Sequence, residues 1–355
     1  MSSPTALIMA GGTGGHIFPG LAIAEVLRSQ GWNVHWMGAP SPSMESTLIP
    51  AKGFAFESVQ FGGVRGKGVS TALMLPWRIL KALAQSWLLI KRLRPDVLVG
   101  LGGYITFPGG LMGVVCGKPL ILHEQNSIAG MANTWLAKIA RKVFSSFPGA
   151  LPHAVWVGNP LREEFLNQDP PLQRFAQRQG PLRVLVMGGS LGAQAINQTV
   201  PQALALIPLQ DRPSVVHQGG EKHLAALKAA YAEVNVAAEL TAFIHNTAEE
   251  MALADVVICR AGASTVSELS AVGVAAWMVP FPHAVDDHQT KNAHFLSDQG
   301  AGWLIPQNEL TPQLLAHHLQ TISRETLVQV ATKAYALRQT QAAEKVALAC
   351  TEVLA

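Results

Sequence analysis

The chain has 355 residues, 49% of them hydrophobic and only 14% charged. That balance excludes a disordered chain, which needs low hydrophobicity and high charge, and the length predicts two domains at roughly 150 residues each. A net charge of +3 from 26 basic and 23 acidic residues is weak support for nucleic-acid binding, which usually shows a concentrated basic face, so no nucleic acid is expected as a partner. Cys116, Cys259 and Cys350 are odd in number and far apart, which predicts neither a disulfide framework nor a cysteine metal site. The first apolar run is too short for a signal peptide. No uncharged apolar stretch reaches the length of a spanning helix.

In chain order, residues 5–10 form an apolar run that stops at glycines, the pattern of a strand. Leu21, Ala24 and Leu27, closed by Gly31, have helical spacing and a glycine stop. Further strands are expected at 34–37, 97–100, 120–123 and 155–157, with helices at 71–92, 108–116 and 129–139. A stretch with paired prolines and glutamines at 167–181 reads as a linker. The pattern then restarts with a strand at 182–187, a glycine loop at 188–192 and a helix at 193–207. Strands follow at 215–217, 256–259, 275–279 and 303–305, and the tail from 324 to 355 reads as helix with few breaks. Near-continuous apolar strands alternating with helices predict an α/β protein with two doubly wound parallel-sheet, Rossmann-like domains, 1–166 and 182–340.

Three glycine loops follow strands: Gly11-Gly12-Thr13-Gly14-Gly15-His16, Gly100-Leu101-Gly102-Gly103-Tyr104 and Gly188-Gly189-Ser190-Leu191-Gly192. Glycines let backbone N–H groups approach a ligand, and a helix start favours negative charge, so phosphate is the natural guest. The dinucleotide pattern GxGxxG and its ribose acid are absent, and Gly62 to Gly68 has the wrong spacing for a P-loop. A nucleotide-sugar diphosphate fits better than NAD or ATP. The richest segment is Ala263-Ser264-Thr265-Val266-Ser267-Glu268, joining a strand to a helix. Its first residues carry N–H and hydroxyl donors, and Glu268 can accept both ribose hydroxyls or cap its own helix. Gln289 and Asn292, three apart on one helical face, are amides suited to sorting sugar hydroxyls. No DxD ends a strand, and Asp286-Asp287 lies in a loop beside His288, so neither a metal nor a cofactor is expected.

These segments occur together as GGTGGH at 11–16, GGY at 102–104, HEQN at 123–126, GNPLR at 158–162, GGSLGA at 188–193, RAGASTVSE at 260–268 and PFPHAVDDHQTKNA at 280–293. In that order they resemble the MurG family, transferases that add N-acetylglucosamine to the lipid-linked muramyl-peptide precursor of peptidoglycan. The resemblance spans nearly the whole chain. It implies a glycosyltransferase B fold whose two domains face a cleft, with the helix at 341–355 returning to brace the N-terminal domain. It implies an inverting, metal-independent hexosyltransferase. The donor is UDP-N-acetylglucosamine, held mainly by the C-terminal half. The acceptor is the 4-hydroxyl of undecaprenyl-pyrophosphoryl-muramyl-pentapeptide, held by the N-terminal half. The implied donor site comprises Thr13, Gly14, Gly15, Asn126, Arg162, Ser190, Ile244, the run Ala263, Ser264, Thr265, Val266, Ser267 and Glu268, and Gln289, with Asn292 as an additional sugar contact. Ile244 would read uracil through its backbone. A glycolipid glycosyltransferase of the same fold is the alternative, separated by the acceptor.

The attacking hydroxyl needs a base. His16 is the candidate, since an imidazole of ordinary pKa ~6.5 suits proton transfer near neutrality. The other reading is that His16 orients a phosphate or the loop. Finally, the helix expected at 71–92 places Leu73, Trp77, Leu80, Ala84 and Trp87 on one face, with Leu75, Ile79, Leu83 and Ile90 elsewhere. Arg65, Lys67, Arg78, Lys81, Lys91, Arg92 and Arg94 surround it. Tryptophans beside cations suit a lipid interface. With a lipid-anchored acceptor implied, peripheral attachment to an anionic membrane surface, the cytoplasmic face of the inner membrane, is expected; the other reading is a helix that covers the sheet and leaves a solvated basic edge.

Overall fold

The computed structural model describes residues 3–62, 74–189 and 193–354. They form two compact units. One is residues 1–162 with 339–355, the other 163–338.

The first unit is a seven-stranded parallel sheet in the order β3-β2-β1-β4-β5-β6-β7. Its strands are β1 (Thr5–Met9), β2 (Asn33–Gly38), β3 (Ala55–Ser58), β4 (Val97–Gly100), β5 (Leu120–Glu124), β6 (Lys142–Ser145) and β7 (Val155–Trp156). Alternate residues of β1 enter different cores, which is why the strand reads as unbroken apolar sequence. Ala6 and Ile8 pack with Ile17, Ile23 and Leu27 of the Gly14–Ser29 helix and with Val346 and Ala347 of the Ala342–Glu352 helix. Leu7 and Met9 pack on the opposite face with Ala82, Leu89 and Ile90 of the Leu75–Leu93 helix. The Gly14–Ser29 helix starts seven residues before its first periodic leucine and carries Pro19 inside. Gly20 lets this helix lie close on the sheet, for a Cβ there would lie 2.6 Å from the Trp36 ring.

The second unit is a six-stranded parallel sheet in the order β10-β9-β8-β11-β12-β13. Its strands are β8 (Arg183–Met187), β9 (Ser214–Gln218), β10 (Glu239–Thr241), β11 (Val256–Cys259), β12 (Ala275–Met278) and β13 (Trp303–Leu304). Val184, Val186 and Ile258 pack against Ile196 and Val200 of the Gln194–Ala205 helix and Leu315 of the Pro312–Thr321 helix.

The stretch 167–181 is not a free linker. Its Pro171–Phe175 helix sits in the second unit, where Arg174 donates to the carbonyls of Ala252, Val272 and Gly273. Arginines offer five donors to helix-end carbonyls, which overrides the linker-like proline content. The tail is likewise two helices, Arg324–Ala336 and Ala342–Glu352. The chain changes unit between them, at residue 338.

Candidate active site

In both sheets the first strand has its successor on one side and the fourth strand on the other. Ligands of open α/β sheets bind at the carboxyl ends of the strands flanking such a switch point. In the first unit these are β1 and β4, followed by the loops at 10–13 and 101–105. In the second they are β8 and β11, followed by Gly188-Gly189 and by Arg260-Ala261-Gly262. All three glycine loops singled out in the sequence leave strands that flank a switch point. Ser190, Leu191 and Gly192 lie outside the described residues, as do Arg65, Lys67 and Leu73.

In the first unit, Thr13 is the extended N-cap of the Gly14–Ser29 helix, and no side chain caps it. Its hydroxyl lies 3.1 Å from His16 Nδ1. The His16 ring packs on the second glycine loop, for a Cβ on Gly102 would come 3.4 Å from its Nε2 and one on Gly103 3.6 Å from its Nδ1. Gly102 and Gly103 have φ of +85° and +75°, the left-handed region that glycine enters without strain. Arg162 stacks its guanidinium 5.4 Å from the Phe18 ring centroid, one turn into the same helix.

Asn126 is tied to this group through a buried carboxylate. Glu124 accepts from the Asn126 N–H at 2.8 Å, the Gly130 N–H at 3.2 Å and Asn133 Nδ2 at 2.9 Å. Burial raises its pKa against the lowering effect of those bonds. Asn133 in turn approaches Gly102. His123, beside it, is fully buried, with Nε2 bonded to the Gly158 carbonyl and Nδ1 to Gln125. Burial pushes its pKa down to about 4, opposed by the Gly158 bond, so it is a neutral structural group at pH 7.

In the second unit, the Ala263–Val272 helix begins at extended Gly262 with no side-chain cap. Its first N–H groups therefore have no intrahelical acceptor. The Ser264 hydroxyl is buried with no hydrogen-bond partner in the protein. Glu268 is half-buried, and its charge adds to burial in pushing the Cys259 thiol up to about 12, which puts the carboxylate near the end of β11. Other members of the run face inward. Val266 is in the core, and Ser267 bonds back to the Ala263 carbonyl, as serines within helices do.

The 280–292 segment is held beside this helix. Arg260 donates to the carbonyls of Val279 and Pro280 and to Gln307 Oε1. The Phe281 N–H donates to Gln289 Oε1 at 2.9 Å, committing that oxygen to the protein. Asn292 is fully buried and donates to the Ala261 carbonyl at 3.2 Å. It braces the loop that follows β11. Helical spacing put it on the face of Gln289, but that face turns into the protein at residue 292. Ile244 is buried in the loop after β10, and its carbonyl accepts the Thr247 hydroxyl. The helix that follows, Thr247–Leu253, packs against Ala263–Val272.

Sequence reasoning missed Glu45, Asn133 and the tethering by Arg260. Neither Glu45 nor Asn133 belongs to a sequence motif singled out above, and no local pattern marks their burial. Among the described residues, no group of three or more His, Cys, Asp or Glu could hold a metal ion. None of the helices there is long and apolar enough to cross a membrane.

Two doubly wound parallel sheets with glycine loops at their switch points are the architecture of a glycosyltransferase B fold, and similarity to known proteins supplies the class. Residues 6–145 match the Glycosyltransferase family 28 N-terminal domain and residues 183–348 its C-terminal domain. The UDP-N-acetylglucosamine--N-acetylmuramyl-(pentapeptide) pyrophosphoryl-undecaprenol N-acetylglucosamine transferase of Albidiferax ferrireducens is 60% identical, over 100% of this chain and 92% of its own. The transferase of the same name from Paracidovorax citrulli is 58% identical over 99% of each. The crystal structure of Acinetobacter baumannii MurG superposes with a TM-score of 0.86 at 37% identity, covering 98% of this chain and 99% of that one. The chain belongs to the MurG family of N-acetylglucosamine transferases.

Proposed function

We propose that the chain moves N-acetylglucosamine from UDP-N-acetylglucosamine to the 4-hydroxyl of undecaprenyl-pyrophosphoryl-muramyl-pentapeptide, with inversion and without a metal. The observation that carries this reading is the identity, over nearly full length, to transferases named for that transfer. The 4-hydroxyl oxygen attacks the anomeric carbon as the bond to the phosphate oxygen breaks. His16 takes the hydroxyl proton, and UDP leaves with one more negative charge. The uncapped N–H groups at the start of the Ala263–Val272 helix and the Ser264 hydroxyl suit that charge, because oriented donors need no reorganisation as it develops. The test is transfer of radiolabelled sugar to the muramyl-pentapeptide lipid with EDTA present. Undiminished turnover is expected. No transfer to that acceptor, or inhibition reversed by magnesium, would count against the reading.

Glu268 holds the ribose hydroxyls in this scheme. Ribose contacts persist from ground state to transition state, so their loss is mostly uniform binding. Glu268→Gln is expected to raise KM for the donor about tenfold, the worth of one charge-assisted bond of about 1.5 kcal/mol, and to lower kcat much less. Initial-rate kinetics read both, and an unchanged donor KM would remove Glu268 from the ribose.

The acceptor's lipid brings the enzyme to a membrane. The Leu75–Leu93 helix buries Ala82, Ser86, Leu89 and Ile90 and turns Trp77 (66% exposed), Leu80, Trp87 and Leu88 outward. It packs on the Thr106–Val115 helix, which packs on Met131–Leu136, and these elements expose Val115, Met131 and Trp135 as well. Arg78, Lys81 and Lys91 are exposed along the first helix and Lys138 stacks on Trp135. Such a basic, aromatic face fits peripheral binding to an anionic leaflet, where each cation contributes about 1 kcal/mol. Arg78→Glu with Lys81→Glu reverses two charges. It is expected to weaken liposome binding by more than about tenfold, while sparing transfer to a short-chain soluble acceptor. Binding in a vesicle sedimentation assay that survives both the change and high salt would place the membrane contact elsewhere.

A further inference from the structure

Glu45 is fully buried in the first turn of the Met44–Ala51 helix, yet it belongs to neither the core nor the surface chemistry described above. Its Oε2 accepts the Gly12 N–H at 3.3 Å, and its Oε1 accepts the Ala39 N–H at 3.1 Å. The first glycine loop closes round it. A Cβ on Gly11 would fall 2.3 Å from Oε1, and one on Gly38 2.7 Å from Cγ. Two glycines therefore make the space for this carboxylate. On its other sides the loop is held by the Trp36 indole N–H, which donates to the Ala10 carbonyl at 2.9 Å, and by Gly103, whose Cβ would lie 3.0 Å from the Gly11 carbonyl oxygen. The Tyr104 ring lies across Gly12, and the charge of Glu45 adds to burial in raising the Tyr104 pKa.

We propose that Glu45 is a positioning residue for the transfer reaction: it fixes the Gly11–Gly12 peptide and so sets where Thr13 and His16 stand. The loop leaves β1 at Ala10, and Thr13 carries both the helix start and the hydroxyl beside His16 Nδ1. The direction of the Gly12 N–H is thus upstream of the imidazole's position. A carboxylate can accept both N–H groups at once, whereas a carboxamide presents an NH₂ to one of them. The Gly12 N–H is directed into the protein and is not a donor to a phosphate, so the ligand-facing donors of this loop begin at the helix start. The proposal rests on the reading of His16 as the base.

The test compares Glu45→Gln with Ser43→Ala. Ser43 caps the same helix through a capping box with Ser46 and donates to the Ala39 carbonyl, so its loss weakens the helix and the Ala39 turn but removes no bond to the glycine loop or to Glu45. Glu45→Gln is expected to lower kcat by about ten- to a hundredfold with donor KM within about threefold of wild type, the pattern of lost transition-state geometry. Ser43→Ala should lower the thermal midpoint but keep kcat within about twofold, since a cap contributes stability only. Gly11→Ala, which drives a methyl into Oε1, should reproduce the Glu45→Gln defect, and the double variant should be no worse than either alone. Four results would each overturn the proposal: wild-type kcat in Glu45→Gln, equal losses of kcat in Glu45→Gln and Ser43→Ala, additive losses in the double variant, or a Glu45→Gln chain that fails to fold. A wild-type chain without transfer activity would instead sink the transferase reading itself.

Discussion

His16→Ala is expected to lower kcat for sugar transfer by roughly 10²–10⁴, the range in which positioned acid–base groups act. The geometry supports a dedicated role. The ring is half-buried at the mouth of the first switch point, with Nδ1 beside the Thr13 hydroxyl and one edge against Gly102 and Gly103. Fixing an imidazole between a hydroxyl and two side-chain-free residues holds it in one orientation, which a proton transfer requires and a loosely solvated surface histidine lacks. Donor KM should change little, because the lost interaction belongs to the transition state. Steady-state kinetics with both substrates varied decide the matter. A fall in donor affinity as steep as the fall in kcat would make His16 a binding residue and move the base elsewhere.

The second large effect concerns stability. Asp255 is almost fully buried just before β11 and accepts from Arg178 at 2.9 Å, Arg324 at 3.1 Å and the Arg183 N–H at 2.8 Å. This carboxylate joins the 167–181 stretch, the second sheet and the Arg324–Ala336 helix at one point. Asp255→Ala leaves two part-buried guanidinium groups without their anion, and a loss of about 3 kcal/mol is expected. Denaturant titration of the second unit measures it. The pH dependence has a definite sign. Burial alone would raise the Asp255 pKa, but the bonds from Arg324, the Arg183 N–H and Arg178 outweigh it, and the net shift is downward. A carboxylate lowered on folding contributes stability that is complete above the ordinary value of about 4 and is lost as the pH falls through the lowered one. Thermal midpoints should therefore fall more steeply with acid below about pH 4 in the wild type than in Asp255→Asn. Parallel curves would show that the carboxylate contributes nothing to acid unfolding.

The glycine loops at 11–15 and 100–104 and the helix start at 263 were legible because a glycine run between a strand and a helix has few other uses. Their pattern is local: the glycine N–H groups and the helix start share one short segment. The same holds for the outward tryptophans of the Leu75–Leu93 helix, since helical spacing alone separates Trp77, Leu80 and Trp87 from Ala82 and Leu89. Asn292 and Glu45 show the opposite. Asn292 shares a helical face with Gln289, yet it ends fully buried on the Ala261 carbonyl. Glu45 lies in the first turn of a helix that the sequence pattern did not mark, a place where an acid ordinarily serves the helix dipole. The structure instead gives it to Gly12 and Ala39, 33 and 6 residues away in the chain. The linker reading of 167–181 was displaced in the same way, by arginine bonds to carbonyls more than 70 residues distant.

By itself, then, the amino-acid sequence determined the two doubly wound sheets, the glycine loops and the family. These rest on apolar periodicity and on motifs whose parts are neighbours in the chain. Only the tertiary structure decided which polar side chains stand at the surface and which are buried as braces, where the chain crosses between units, and that Glu45 lies behind the first loop. Those outcomes depend on contacts between residues far apart in sequence, where burial costs a polar group its water and a distant partner must replace it.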